Sequence, residues 1–492
     1  MALNDVIPAQ IERLLRELDK RAAEHRRLRP YAERVSGHHM PIPEAVTAAK
    51  LTRAYRQLLS MSETPWGKLV VASKLDRLEV NGITSPDSSV SDAVWHGVWQ
   101  TNAMDLESKL AHRAALMDGR AHATVWPAGD WVANDEQEIT RWTSEEPRVT
   151  LDDSSVMVVE YVEGSRRERI GALRRWRDPN VDGRDLVTLY RRDGIYKFQQ
   201  AKTDAGDRRF TAAGVSWEPR EVDGEEWPLP NPLGVVPVVE LGVNRQLAPG
   251  AFTHCSGEFA NETGLIDKVN LLTFLGLVVA VSMSFPLRVL IGEEILRDDS
   301  GKAIPPFDAY IGGAVQFENP QAKLAQYEPA DRGALSIYGE LQQLAKSTST
   351  PGHYFPLADT ISNVSAETIR AFEGPLHAAV NGSHKPSLGE GWEEVLRLGG
   401  RMLPEPVELS QRAAIMWADH ESRSLAERAD AFSKIAGSLP WQAAAELALA
   451  LGNDQIRRYE SEQAGSALTQ IIARLRDDDA ARSPESAPLV AT

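Results

Sequence analysis

The sequence has a single cysteine, Cys255, so neither an intrachain disulfide nor a zinc site built from several cysteines is possible. We therefore expect a protein of a reducing compartment. Basic residues are also in short supply, since 54 Lys and Arg stand against 70 Asp and Glu, a formal net charge of −16. A surface that binds the phosphates of nucleic acid over a broad area needs clustered basic residues, so the composition argues against that mode of binding.

Catalytic and cofactor signatures are missing as well. The sequence contains no G-x-x-x-x-G-K-[ST] loop, no G-x-G-x-x-G after a strand, no H-E-x-x-H and no G-x-S-x-G. The pairs His38-His39 and Asp152-Asp153 are better explained as loop residues than as metal ligands. Cys255, next to His254, is better explained as an inert thiol than as a nucleophile. The sequence favours a structural or binding protein without cofactor or metal over an enzyme.

Long apolar runs are equally scarce. The N-terminal residues lack the apolar core of a signal peptide. The most apolar run, Leu271–Met283, is shorter than the ~20 residues that a membrane span needs, and Asp267, Lys268 and Arg288 flank it. We interpret this run as part of a buried helix in a soluble protein and expect no membrane partner, with a membrane span as the alternative.

Helical and strand-like patterns are present in the first part of the chain. A helix over 8–28 places Ile11, Leu14, Leu15, Leu18 and Ala22 on one face and should stop at Pro30. Further helices are predicted over 44–60 and over 90–118, the latter ending at Gly119. The run Leu69–Val80 predicts a strand, closed by a turn at Asn81-Gly82.

Residues 121–237 change character and predict a β-rich subdomain. Short alternating runs recur there, and Asp193-Gly194 lies between two of them, which predicts a hairpin with a type I′ turn. The proline-containing connector Asn231–Arg245 leads out of this region.

The second half of the chain predicts mainly helices. We expect long helices over 256–283 and 332–347, with a mixed, turn-rich segment over 287–329 between them. After a loop, a helix over 365–398 should be broken or kinked at Gly374-Pro375 and Lys385-Pro386. Residues 407–476 read as an alanine-rich helical domain, and the tail has no apolar pattern.

The order of these parts, and several stretches within them, resemble the portal proteins of tailed bacteriophages, in particular those of siphophages that infect actinobacteria. The stretches are RPYAERVSGHHMPIP, WQTNAMDLESKLAHRAALMDGRAHATVWP, NPLGVVPVVELGVNR, TSTPGHYFPLADTISNVSAETIRAFEGPL and IMWADHESRSLAERADAFSKIAG with LALALGNDQIRRYE. They run from about Tyr31 to Tyr459, and the fewest residues match between Leu287 and Pro329.

The resemblance implies an α+β, predominantly helical portal fold with wing, stem, clip and crown, assembled as a ring. It implies a wing over 1–250, stem helices over 251–286 and 331–347, and a clip over 287–330 between them. The remaining assignments are a tunnel loop over 348–364, a long wing helix over 365–404, a crown over 405–476 and a disordered tail over 477–492.

The resemblance also implies a function and partners. A homo-oligomeric ring, usually a dodecamer, would occupy one capsid vertex of the virion and let double-stranded DNA pass during packaging and ejection. Its further partners would be the terminase large subunit, a head-completion or adaptor protein, and the major capsid and scaffolding proteins, with assembly in the host cytoplasm.

Candidate site residues follow from these assignments. Those expected at the channel and tunnel loop are Lys346, His353, Tyr354, Asp359 and Asn363. Those expected in the clip, where terminase and adaptor would dock, are Arg297, Asp298, Asp299 and Lys302. Those expected to pack between stem helices of neighbouring copies are Leu272, Leu275, Gly276 and Val279.

The charge of the predicted stem fits a channel. Residues 254–285 and 331–365 hold few cations, and a neutral or acidic lumen would let DNA slide where a basic one would hold it. Two other interpretations remain open: another head-tail connector or assembly protein of the virion, and an unrecognised cytosolic enzyme.

Overall fold

The computed structural model describes residues 6–33, 53–127, 131–133, 139–142, 146–177, 183–201, 209–222, 226–231, 233–247, 249–284, 288–291, 314–317, 333–355, 365–418 and 425–449, with a few isolated positions. The fold mixes helices and sheets. Its residues group into two compact units. The first unit comprises Met1–Leu75, Leu110–Ala123 and Leu151–Leu388, and the second comprises Asp76–Lys109, Thr124–Thr150 and Gly389–Thr492.

The helices, in chain order, are α1 Val6–Ala32, α2 Arg53–Ser62, α3 Trp66–Leu75, α4 Ser88–Val94, α5 Met104–Asp118, α6 Thr263–Ser284, α7 Gly333–Ser347, α8 Ala366–Ala379, α9 Lys385–Arg401, α10 Leu425–Ile435 and α11 Trp441–Ala444. Wider π-helical turns follow α4, α8 and α11, at Trp95–Gln100, Val380–His384 and Ala445–Leu449. A short 3₁₀ turn, Gly352–Tyr354, follows α7.

The strands are β1 Val80–Thr84, β2 Arg120–Trp126, β3 Trp131–Ala133, β4 Ile139–Trp142, β5 Arg148–Asp153, β6 Met157–Tyr161, β7 Arg169–Arg177, β8 Asp185–Arg191, β9 Gly194–Gln200, β10 Phe210–Ala212, β11 Val215–Pro219, β12 Leu229–Pro230, β13 Val238–Gly242, β14 Arg288–Ile291, β15 Ala314–Phe317 and β16 Ala414–Trp417. The largest sheet has seven strands in the order β10-β11-β9-β8-β7-β6, with β12 also paired to β9. A three-stranded sheet has the order β13-β2-β5.

Helix α1 packs on one face of the seven-stranded sheet and forms the main core of the first unit. Its apolar residues recur at helical spacing, so they lie along one side of the helix. They meet inward-facing residues that alternate along the strands, and the buried members of this core are Ile7, Ile11, Leu14, Leu15, Leu18, Val158, Leu173, Val187, Leu189, Phe198, Ala212 and Trp217. The predicted helix and its face are therefore confirmed. Residues 121–237 are rich in strands, as predicted, but Thr124–Thr150 belong to the second unit and the rest of this region to the first.

A buried ionic cluster ties α1 to the strands beside it. The Oε2 atom of Glu240 lies 3.5 Å from Arg21 Nη1, 3.6 Å from Arg120 Nη1 and 3.7 Å from His122 Nε2, and its Oε1 accepts a hydrogen bond from Thr253. Burial alone would raise the pKa of Glu240, but Arg120, His122 and Arg21 outweigh it and hold this pKa well below its usual range. The cluster joins α1, β2 and β13 to the segment that leads into α6.

The second unit has its own aromatic core. The rings of Trp95 and Trp99 stack with centroids 5.1 Å apart, and Trp392 packs edge-on against Trp99 at 5.3 Å. Trp99 Nε1 donates a hydrogen bond of 2.8 Å to Asp105. Strand β1 pairs antiparallel with β16, which the sequence patterns did not indicate.

Two predictions near the N-terminus are wrong. The run Leu69–Val80 is not a strand, because most of it belongs to α3, which begins directly after Pro65, and Asn81-Gly82 lies inside β1 rather than in a turn. Proline is favoured at the first positions of a helix, so this signal outweighs the β-branched residues. Helix α1 also continues through Pro30 to Ala32, since a proline in the last turn removes only one backbone hydrogen bond.

Other elements follow the predictions with changes in detail. Gly119 ends α5 with a φ of 87°. The hairpin β8–β9 is present, but neither Asp193 nor Gly194 has a positive φ, and Gly194 already belongs to β9. A Cβ at Gly194 would come within 3.1 Å of the Leu229 carbonyl oxygen, so glycine here allows β12 to approach β9.

Of the two places where a break or kink is predicted, Gly374-Pro375 does not break the helix, because α8 runs through Pro375 to Ala379. At the second place, Lys385-Pro386, the helix does change, because the π-helical turn Val380–His384 ends directly before Lys385. Proline has no N–H for the preceding turn, which accounts for a widened turn at this point. In the C-terminal part, where a helical domain is predicted over 407–476, α10 and α11 are helices but Ala414–Trp417 forms the strand β16. Residues 463–492 lie outside the described part of the chain.

Candidate functional site

Helix α6 has no polar face along most of its length. Asp267 and Lys268, in its second turn, are its only charged residues. A helix that is apolar round its circumference is normally enclosed by protein or by lipid. In this chain, however, only 22% of the residues of Thr263–Val281 are fully buried. Most of the others are half-buried, and the exposed ones are Gly264, Lys268, Leu275 and Ala280.

This finding corrects the expectation of a short apolar run inside a buried helix. The apolar segment extends back to Thr263, past Asp267 and Lys268, and reaches 19 residues with a mean hydropathy of 1.8. By length and composition alone it could cross a membrane, and among the described residues no other helix has this property. A core helix of a protein assembly has the same composition.

The buried residues of α6 form a narrow stripe near its beginning. They are Ile266, Val269, Asn270 and Phe274, at spacings that place them on one side of the helix. From Leu275 to Val281 no residue is fully buried. The first half of the helix is therefore packed against its own chain, while the residues from Leu275 to Val281 are half-buried or exposed.

The predicted stem-packing residues lie on the other side of α6. At ~100° per residue, Leu272, Leu275, Gly276 and Val279 form a stripe centred roughly 145° from the buried one. Leu275 is 42% exposed, and the other three are half-buried. The chain leaves these residues available for contact with another molecule.

Polar contacts anchor the start of α6 to the C-terminal end of α1. Tyr31 donates a hydrogen bond of 3.0 Å to Asp267, and burial together with Asp267 raises the pKa of Tyr31 to about 12. Arg27 donates to the carbonyl oxygen of Ala260 and to Thr263 Oγ1, both at 3.1 Å. The C-terminal end of α1 thus holds the position where α6 begins.

Two further helices support α6. The side chain of Asn270 exchanges two hydrogen bonds with the backbone of Thr64, between α2 and α3, at 3.3 and 3.1 Å. Helix α7 lies along α6, and Lys268 Nζ lies 2.5 Å from Glu340 Oε1. The charges of this pair compensate each other, which leaves the surface of the helix pair nearly uncharged.

The loop root, which we define as residues 348–355, leaves α7 through a tight turn. Ser349 has a φ of 51°, the Ser349 N–H donates to Lys346 O at 3.3 Å, and the Thr350 N–H donates to Ala345 O at 2.9 Å. This is the pattern of a Schellman motif, with serine where glycine is usual. A left-handed residue other than glycine costs of order 1 kcal/mol or more, so its surroundings must hold it in place.

The loop root packs back on neighbouring helices. Phe355 is buried against Trp66, with ring centroids 5.8 Å apart. Tyr354 donates a hydrogen bond of 3.1 Å to Glu373 of α8, and His353 Nε2 lies 3.8 Å from the same carboxylate. His353 and Tyr354 are therefore half-buried at the start of the predicted tunnel loop.

A chain of buried charges lies beneath the loop root. Lys74 of α3 is fully buried, and its Nζ donates to Thr348 O at 2.7 Å and to Thr350 Oγ1 at 3.2 Å. Its counter-charge, Glu258 Oε2, lies 3.6 Å away. Glu258 Oε1 in turn lies 2.6 Å from His384 Nε2 in the turn after α8.

The structure does not bring all predicted site residues together. Lys346 is exposed near the end of α7, and Asp299 is exposed in a turn. Asp359, Asn363, Arg297, Asp298 and Lys302 lie outside the described residues. The predicted clip contributes one parallel pair of strands, β14 and β15, within the described part. No group of three or more His, Cys, Asp or Glu in the described ranges could hold a metal ion.

Sequence reasoning missed Lys74, Glu258 and His384. The contacts that connect them to one another and to the loop root span 126 to 276 residues along the chain, so no local spacing indicates them. A lysine inside the apolar run LVVASKL was the one available signal, and it was read as part of a strand. Burial and the nearby Glu240 raise the pKa of the Cys255 thiol, which disfavours the thiolate that a nucleophile requires.

Comparisons with known proteins bear on the whole chain. Residues 53–467 match the family model "Phage portal protein, SPP1 Gp6-like". The portal protein of Mycobacterium phage L5 is 26% identical over 450 residues, which cover 87% of this chain and 84% of that protein. The portal protein of Mycobacterium phage D29 is 26% identical over 429 residues, covering 83% and 81%.

Among solved structures, a chain of the virion of a native gene transfer agent particle is similar in fold. It is 12% identical, covers 87% of this chain and 99% of its own length, and has a TM-score of 0.36. At this TM-score the likeness is too distant to support any inference.

Proposed function

Since this chain belongs to the SPP1 Gp6-like family of phage portal proteins, we propose that copies of it assemble into a dodecameric ring at one capsid vertex. Double-stranded DNA passes through the central channel of this ring during packaging and ejection. The chain is a component of the virion, as its portal relatives are.

The observation that carries the proposed assembly is the uncovered apolar side of α6. Leu272, Leu275, Gly276 and Val279 line this side, and Leu275 is 42% exposed in the single chain. Apolar surface of this extent is removed from water when another protein covers it. In a ring, each α6 packs between neighbouring copies, so every copy covers the open side of the next.

The charges of the helix pair suit a channel that DNA slides through. Helix α6 carries Asp267 and Lys268, and α7 carries Glu340 and Lys346, so the pair has no net charge. DNA carries one negative charge per ~1.7 Å of its axis, and a basic lining would bind it tightly. Ring symmetry would turn Lys346, the exposed cation near the loop root, into one basic belt.

The parts of the chain receive the following roles in this proposal. Residues 1–250 form the wing, α6 and α7 form the stem, 287–330 form the clip, 348–364 form the tunnel loop, 365–404 form the long wing helix and 405–476 form the crown. Terminase and later a head-completion protein dock on the clip, through residues such as Asp299. Capsid and scaffolding proteins surround the ring.

Negative-stain imaging of the purified chain tests the proposed assembly. The wild-type protein should form rings with a central hole, alone or with scaffolding protein. Leu275→Glu places a charge on the open side of α6 and should leave single chains. The matched control is Leu247→Glu, because Leu247 is 93% exposed and outside the stem, and it should form normal rings. Rings of unchanged mass from Leu275→Glu would overturn the assigned interface, and a wild-type protein that stays monomeric would overturn the assembly.

A further inference from the structure

We infer that Lys74 and His384 are positioning residues that, through Glu258, hold the loop root in a fixed place relative to the π-helical turn after α8. The loop root is the start of the proposed tunnel loop, so the consequence for the channel rests on the proposed function. The contacts themselves lie within the first unit of a single chain.

The first link is between Lys74 and the end of α7. Because Ser349 turns into the left-handed region, the backbone leaves the helix direction, and the Thr348 carbonyl needs a donor from elsewhere. Lys74 Nζ supplies it at 2.7 Å and also binds Thr350 Oγ1 at 3.2 Å. Lys74 thus contacts the residues on both sides of Ser349 and stabilises its strained conformation.

The second link is between Lys74 and Glu258. An ammonium group that is fully buried requires a nearby negative charge, and Glu258 Oε2 at 3.6 Å provides it. Asn244 Nδ2 donates to Glu258 Oε1 at 2.6 Å and fixes the carboxylate. Burial alone would raise the pKa of Glu258, but His384 and Lys74 outweigh it, so this pKa lies below its ordinary value.

The third link is between Glu258 and His384. The two ring nitrogens of His384 face only acceptors: Nε2 lies 2.6 Å from Glu258 Oε1, and Nδ1 lies 2.8 Å from the Ala379 carbonyl oxygen. The ring of His384 therefore bridges the Glu258 carboxylate and the Ala379 carbonyl oxygen. Lys74 and His384 contact the two oxygens of one carboxylate, and a continuous series of contacts runs from Thr348 to Ala379.

Such a chain has a consequence that separate local contacts would not have. Removing His384 takes away one of the groups that hold the Glu258 carboxylate, which changes the position of Lys74 and with it the support of Ser349. Groups in one buried network show energetic effects on each other that are not additive. A substitution of His384 should therefore loosen the loop root, although the two are not in direct contact.

Hydrogen–deuterium exchange of the full-length protein tests this inference. His384→Gln should raise the exchange rates of amides in 348–355 by about tenfold, an opening of the loop root with no change in the core. Lys74→Met should likewise raise exchange in 379–385. The double variant, Lys74→Met with His384→Gln, should exchange no faster in 348–355 or in 379–385 than the faster of the two single variants. Matched controls are Lys68→Met, an exposed lysine of the same helix, and His96→Gln, an exposed histidine in another π-helical turn.

The strands β7 and β8 report on global stability and should keep wild-type exchange in the substituted proteins. If the Lys74 or His384 variant loses this protection, the inference is tested with Glu258→Gln, which keeps the shape of the side chain and removes its charge. Glu258→Gln should raise exchange both in 348–355 and in 379–385. Effects confined to the neighbourhood of each substitution, or additive in the double variant, would overturn the inference. Ring formation in the imaging experiment is an independent readout, so either proposal can fail while the other stands.

Discussion

Helices α1 and α6 are both long and rich in apolar residues, yet they reach opposite states in the folded chain. The apolar stripe of α1 is fully buried against the seven-stranded sheet, and Leu14 has no exposed surface. In the more apolar α6, only 22% of the residues of Thr263–Val281 are fully buried, and most of the others are half-buried. An amphipathic helix needs one covered side, which its own chain can supply, whereas a helix that is apolar all round needs partners on several sides. The contrast separates residues that stabilise the single chain from residues that serve its assembly.

The largest loss of stability is expected at the ionic cluster that holds α1 in place. Glu240→Gln leaves the buried Arg120 without its counter-charge and Arg21 with Glu17 alone, which should cost about 3–5 kcal/mol in the free energy of unfolding. Denaturant unfolding measures the loss. Glu24→Gln, at an exposed ion pair of the same helix, serves as the control and should change stability little. A loss below ~1 kcal/mol at Glu240 would mean that the cluster does not hold the helix.

A matched pair of leucines tests the contrast directly. Leu14→Ala removes a fully buried side chain and should destabilise the chain by about 3 kcal/mol, while Leu275→Ala should cost well under ~1 kcal/mol. Both are measured by unfolding at a protein concentration where the chain is monomeric. Equal losses at the two positions would show that α6 is covered within the single chain and would remove the contrast.

The contact between α1 and α5 should respond to pH. His25 Nδ1 lies 2.7 Å from Asp118 Oδ2, and the hydrogen bond to Asp118 raises the pKa of His25 despite burial. The folded chain holds this proton more tightly than the unfolded chain. The stabilisation is therefore fully present at pH values below about 6.5, the ordinary pKa of histidine in the unfolded chain. It is lost as the pH rises through the higher pKa of His25 in the folded chain.

His25→Gln should accordingly destabilise the chain by about 1–2 kcal/mol at pH near 5.5 and by clearly less at pH near 8.5. Thermal unfolding across this range gives the profile. The exposed His96 provides the control, since His96→Gln should produce the same small change at every pH. If the loss of stability caused by His25→Gln is the same at every pH, the raised pKa of His25 does not contribute to the stability of this contact.

The smallest effect is expected at the ion pair between α6 and α7. Lys268 is about half exposed, so its ion pair with Glu340 should contribute a coupling of about 0.5 kcal/mol in a double-mutant cycle with alanine at both positions. Unfolding in low and high salt measures it, and salt should reduce it further. A coupling above ~2 kcal/mol would mean that the pair, and not apolar contact, holds α6 to α7.

Sequence patterns predicted the elements that depend on local spacing. The face of α1, the β-rich region, the two helices α6 and α7 and the end of α5 at Gly119 are confirmed, and so is the portal family, which rests on ordered stretches along the chain. The strand predicted over 69–80 failed because β-branched residues suggest a strand while Pro65 and packing favour a helix. The break predicted at Pro375 failed because a helix can accommodate one proline.

The amino-acid order is sufficient for the apolar periodicity of the helices, the shortage of cations in α6 and α7 and the membership of a family, because these are properties of neighbouring residues. Two other features arise when the chain folds. The burial of one apolar helix and the exposure of the other depend on where the sheet and α7 come to lie. The contacts of Lys74, Glu258 and His384 join residues more than a hundred positions apart. Burial and long-range charge pairing are properties of three-dimensional proximity, so no spacing along the chain could have indicated them.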